Sequence, residues 1–92
     1  MKDKRFDWDR EKNIYLISTR GVSFEAVIDR IIKGGIIEII DHPNSSKYPN
    51  QKIMFVEIDN YVYYVPYVED KNKIFLKTII PSRKANKKYK KI

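Results

Sequence analysis

The stretch Ser23-Phe24-Glu25-Ala26-Val27-Ile28-Asp29-Arg30-Ile31-Ile32-Lys33-Gly34-Gly35-Ile36-Ile37-Glu38-Ile39-Ile40 contains the change of period that decides the fold. Up to Ile32, the apolar residues Phe24, Val27, Ile28, Ile31 and Ile32 fall at i, i+3, i+4, i+7 and i+8, the spacing of one helix face. Ser23 supplies an N-cap, and Gly34-Gly35 stops the helix. The apolar stripe reads as core. Beyond the glycines, Ile36-Ile37-Glu38-Ile39-Ile40 is short and β-branched, which is strand chemistry.

Upstream, residues 9–19 read as another helix, capped by Asp7 or Asp9 and closed at Arg20-Gly21. Downstream, a polar loop over 41–50 leads to two strands, 52–58 and 61–68, joined by Asp59-Asn60, a pair with tight-hairpin chemistry. A second hairpin at Glu69-Asp70-Lys71-Asn72 leads into a strand over 73–80. Pro66 lacks a ladder donor, so a bulge is expected there. After Pro81, Ser82 caps a last helix running to about residue 90. The expected order is two N-terminal helices, a four-stranded antiparallel sheet and a C-terminal basic helix. This is an α+β fold, with the second helix covering one side of the sheet.

Ninety-two residues make one domain, 1–92, and 42% hydrophobic composition is enough to build a core. Without cysteine there are no disulfides, thiolate metal sites or thiol nucleophiles. A single histidine, His42, argues against a histidine metal centre, and Asp41-His42-Pro43 reads more as a turn than as a catalytic dyad, with a lone general acid or base as the alternative. Asp7, Asp9 and Glu11 are explained by helix capping and the helix dipole rather than by a metal. No phosphate-binding glycine loop, nucleophile elbow or dinucleotide fingerprint is visible, so no cofactor is expected. The apolar run 61–68 contains Pro66 and is too short to span a bilayer. No apolar segment follows the charged start, so a cytoplasmic protein with no membrane partner is expected.

Charge is distributed unevenly. Residues 1–42 balance eight Lys/Arg against eight Asp/Glu, whereas residues 43–92 carry eleven against four. From Asn72 onward there are eight basic residues and no acid. Such asymmetry points to a polyanion, either nucleic acid or an acidic protein, with a solubilising tail as the plainer alternative. In the last helix Arg83, Lys84, Lys87, Lys88 and Lys91 share a broad face. Arg83 and Lys84 occupy the first turn, where the helix dipole disfavours cations, and this position suits a phosphate. Lys88 to Lys91 read more simply as a solvated tail. Strand alternation puts Tyr61, Tyr63, Val65 and Tyr67 on one face and Tyr64 on the other. These tyrosines could stack on bases or be ordinary half-buried strand residues; for Tyr67 the two readings are balanced. Lys77 shares a side with Lys73, Phe75 and Ile79.

Three stretches in order are similar to motifs of the BrnT toxins, a RelE-like family of bacterial type II toxin–antitoxin systems. Phe6-Asp7-Trp8-Asp9 with Lys12-Asn13 resembles the family's opening F-E-W-D-x-x-K-N. Gly21-Val22-Ser23-Phe24-Glu25 resembles its K-H-G-V-S-F-E. Ile79-Ile80-Pro81-Ser82-Arg83-Lys84-Ala85, ending in Tyr89, resembles its closing R-I-I-S-A-R-x-A. The family's Lys-His before the second motif is Thr19-Arg20 here, and its V-Y-T-x-R is Pro66-Tyr67-Val68-Glu69-Asp70, which keeps the tyrosine and loses the arginine.

The resemblance implies a RelE-like fold and a metal-independent ribonuclease that inhibits translation. It also implies a cognate antitoxin, with operator DNA bound only through the antitoxin complex. Cleavage without a metal requires activation of the 2′-OH, stabilisation of the phosphorane charge and protonation of the leaving oxygen. Arg83 is the candidate for charge stabilisation, because its fork matches phosphate bidentately. Arg20, Lys77 and Lys84 would support it, and Tyr67 would supply the proton. Lys12, Lys84, Lys87 and Lys88 are the candidate RNA contacts. Two other classes use the same charges: a non-catalytic RNA-binding translation inhibitor, and a basic module that meets an acidic protein.

Overall fold

Capping chemistry sets the helix ends in the computed structural model, which describes residues 3–90. Asp9 accepts the Lys12 N–H at 3.0 Å and starts α1 (Arg10–Arg20), and Gly21 ends it at φ 67°, a left-handed conformation suited to glycine. Ser23 accepts the Ala26 N–H at 3.1 Å and starts α2 (Phe24–Ile32). Gly34 turns the chain out of α2 at φ 79°. Phe24, Val27 and Ile31 are buried, each burial contributing about 1.5–3 kcal/mol. Ile32, expected in the core stripe, is instead 55% exposed, because it lies at the edge of the face that meets the sheet.

The sheet is mixed, and larger than a four-stranded antiparallel meander. Its strands are β1 (Arg5–Trp8), β2 (Ile36–Asp41), β3 (Gln51–Ile58), β4 (Tyr61–Glu69), β5 (Lys73–Leu76) and β6 (Ile80–Pro81). The order is β1-β5-β4-β3-β2, with β6 also pairing β4. Strand β1 is additional to the four strands the sequence pattern predicts. It lies parallel to β5, Arg5 opposite Lys73 and Trp8 opposite Leu76, while the other pairings are antiparallel. The turn residues Asp59 and Asn60 both have positive φ, 50° and 67°, as a tight primed hairpin requires.

Pro66 does not make a bulge in its own strand. The β3–β4 register runs unbroken through Ile53 opposite Pro66. The Pro66 carbonyl accepts the Lys77 N–H at 2.8 Å, and a strand residue's N–H and C=O point to the same side. The missing donor therefore faces residues 77–79, where the expected 73–80 strand is interrupted between β5 and β6.

Helices cover the sheet from both sides. Leu16, Val22, Phe24, Val27 and Ile31 pack on one face against Met54, Val56, Ile58, Val65, Tyr67, Ile74 and Leu76. Phe6 and Trp8 extend this core from β1. On the second face lies α3 (Arg83–Tyr89), where Ala85 is buried and the Tyr89 ring sits 5.6 Å from Phe55. Ser82 caps α3 by accepting the Ala85 N–H, and Asn86 accepts the Val62 N–H from β4, both at 3.1 Å. No helix of the described residues is long and apolar enough to cross a membrane.

Candidate nucleic-acid interface

The basic residues of α3 face solvent because its other side is committed to the sheet. Ala85 and Asn86 anchor the helix to β4, and Lys90 ties its end to Glu57 of β3 at 2.7 Å and to Asn60. Arg83, Lys84, Lys87 and Lys88 are left exposed. Among the described residues none of the four is ion-paired, whereas Lys4, Lys33, Lys52, Lys73 and Lys90 each meet a carboxylate. Lys88 lies over the Tyr89 ring at 5.1 Å. Lys91, placed on the same face by its spacing, lies outside the described residues.

Beside α3, the second face of the sheet opens into a groove of about 560 Å³. Ile53, Phe55, Tyr64 and Pro66 form its floor, Lys84, Lys88 and Tyr89 one wall, and His42 and Pro43 another. Phe55 and Tyr64 are cross-strand partners with ring centroids 6.3 Å apart. With Tyr89 they make an aromatic surface edged by Lys84 and Lys88. Glu38 also lines the groove and accepts a hydrogen bond from the Tyr89 hydroxyl.

The remaining candidates do not gather here. Tyr67 is a core residue, 1% exposed, on the face covered by α1 and α2. Burial pushes its hydroxyl up to about 12, with the carboxylates of Glu69 and Asp41 adding to the effect. Its predicted role as an RNA-facing proton donor is therefore corrected: strand alternation points the ring inward. Arg20 is exposed at the end of α1, and its guanidinium donates to the Ile79 carbonyl at 2.6 Å. That contact satisfies backbone at the 77–79 interruption. Lys77 is exposed in the same interruption. Lys12 is half-buried on α1, 5.8 Å from the Tyr15 ring; α1 packs through Leu16 on the core face, whereas Tyr89 of α3 meets Phe55 on the other, so Lys12 lies across the sheet from α3.

His42, Phe55 and Tyr89 line the groove without being among the predicted site residues. Sequence signals existed for each: strand alternation puts Phe55 with Tyr64 across the hairpin, Tyr89 ends the third motif, and histidine occurs once in this chain. Comparison with protein-family models, curated proteins and solved structures gave no match.

Proposed function

We propose that this chain is a cytoplasmic type II toxin with a RelE-like fold. In this reading it is a metal-independent endoribonuclease that inhibits translation and is held in check by a cognate antitoxin. Operator DNA is met only through the antitoxin complex. The observation that carries the RNA reading is the exposed set Arg83, Lys84, Lys87 and Lys88, unpaired among the described residues, on a helix with no acidic residue. Four like charges clustered on one short helix repel one another, and a polyanion relieves that repulsion. The ordered BrnT-like motifs supply the toxin assignment.

Arg83 is the residue to which the phosphorane charge is assigned, since it is exposed and its planar fork matches phosphate bidentately. Lys84 stands next to it at the groove. A second reading, a binding inhibitor without turnover, is favoured by the burial of Tyr67 and the engagement of Arg20 with the Ile79 carbonyl. Each removes a group from the expected catalytic set.

The test adds purified protein, and separately Arg83→Ala, to a cell-free translation reaction and maps mRNA 5′ ends by primer extension. New ends with the wild type alone are expected. Arrest on intact mRNA would move the assignment to the binding inhibitor. A folded wild type that gives neither arrest nor cleavage would overturn the toxin reading.

A further inference from the structure

We infer that the groove between α3 and the 42–50 loop is a single-stranded RNA cleft in which His42 is a direct RNA contact. This inference rests on the RNA-binding reading above and goes beyond it, because that reading draws only on α3. His42 lies on the far wall from Lys84 and Lys88. Its position is set by its own loop. The His42 N–H donates to the Gln51 carbonyl at 3.1 Å, and the Tyr48 N–H donates to the Asn44 carbonyl at 3.0 Å. The Asn44 N–H donates to His42 Nδ1 at 3.0 Å, and the Tyr48 ring packs 4.4 Å from the imidazole.

Those contacts decide the chemistry of the ring. With Nδ1 accepting a backbone N–H, the neutral imidazole carries its proton on Nε2 and offers one donor that the loop does not use. A donor of this kind suits a ring nitrogen or carbonyl of a base, or a phosphate oxygen. The groove floor provides the complementary feature. Phe55, Tyr64 and Tyr89 form linked aromatic contacts at 6.3 and 5.6 Å, the kind of surface on which bases stack with little regard to sequence.

Charge selects nucleic acid over a neutral apolar ligand. Lys84 and Lys88 line the groove and meet no carboxylate among the described residues, against one lining acid, Glu38, which accepts from the Tyr89 hydroxyl. Phosphates would lie along the lysine wall, with the base over the rings between that wall and His42.

The chain's single histidine makes the test direct, since its imidazole Cε1–H proton signal needs no assignment by mutation. Wild-type protein is titrated with a short single-stranded RNA while that signal is followed. RNA affinity is measured in parallel for wild type, His42→Ala and Arg83→Ala. The imidazole signal is expected to move in step with occupancy, and His42→Ala to weaken binding by roughly twofold to tenfold, the range of one lost hydrogen bond. Because the resonance is read on wild-type protein, a folding defect in a variant cannot mask the result.

RNA binding that leaves the imidazole signal in place and is indifferent to His42→Ala would overturn the cleft while leaving the α3 reading intact. Absence of RNA binding by the wild type at physiological salt would overturn both. Displacement of the RNA by polyglutamate, with the same movement of the imidazole signal, would reassign the cleft to an acidic protein.

Discussion

Asn13 shows how much of the motif pattern is devoted to folding. Its side-chain carbonyl accepts the Phe24 N–H at 2.8 Å, and its amide donates to Glu25 at 2.7 Å. One buried residue of the first motif thus fastens the start of α2, which the second motif encodes. Trp8 and Phe24, also from different motifs, pack with ring centroids 6.1 Å apart. Replacing Asn13 by alanine leaves a buried backbone N–H without its partner, so a loss of about 1–3 kcal/mol is expected. Thermal unfolding should register it as a fall in Tm of several degrees. Tyr67 makes a different prediction. Its hydroxyl is pushed up to about 12, so from pH ~10 upward the unfolded chain releases this proton before the folded one does. Stability is unaffected by this group below pH ~10 and falls as pH rises towards 12. Alkaline unfolding followed by circular dichroism should show Tyr67→Phe losing less stability over that window than the wild type.

At the scale of elements, the turns do more than connect. Asp59 and Asn60 sit in left-handed conformations that Asp and Asn tolerate and β-branched residues do not. Asp59→Val should cost about 1–2 kcal/mol in urea unfolding. At the β4–β5 turn, Asp70 Oδ1 accepts the N–H groups of Asn72 and Lys73, both at 2.8 Å, which holds its carboxyl below the ordinary aspartate value. This turn also meets Lys4, which donates to Glu69 at 2.7 Å and to the Asp70 carbonyl at 2.6 Å, bringing the start of the chain to the β5 edge. The depressed carboxyl contributes stability that is complete above pH ~4 and lost as pH falls through the folded-state value. Acid unfolding of Asp70→Ala beside wild type should show a difference at neutral pH that closes in acid. Pro66 is tolerated for a related reason of register: its missing donor meets an interruption in the neighbouring strand and leaves the β3 ladder whole.

Over the whole molecule, the two faces of the sheet have separate work. One is closed by α1 and α2 and holds the large core cluster. The other is only partly covered by a seven-residue helix, which leaves the aromatic groove beside free cations. If RNA lies along this face, its affinity falls with salt in proportion to the phosphates contacted. Removing Lys84 or Lys88 by glutamine should lower the salt slope by about 0.7 each for a single strand. Lys12→Gln, on α1 across the sheet, should leave the slope unchanged. Filter binding over a range of salt concentrations measures all three.

The helices and most strands were legible because their signals are local. Ser23, the apolar spacing through Ile32 and Gly34 act within a few residues, as do the Asp59-Asn60 turn and the Ser82 cap. Charge segregation towards the end of the chain was equally plain, since it needs no coordinates. Strand β1 was not legible as part of the sheet. Four alternating residues are a weak pattern, and the partner of β1 is β5, more than sixty residues away in the chain. Tertiary structure also decided which tyrosines are available. Tyr67 and Tyr64 are both strand residues of one segment, yet opposite pleat directions send one into the core and the other to the groove. Sequence puts His42 in a turn but not in a groove, because Lys84 and Lys88, which line that groove with it, come from the far end of the chain. Local spacing sets elements and caps through contacts a few residues apart, whereas a site is an intersection of distant segments, and only packing brings those together.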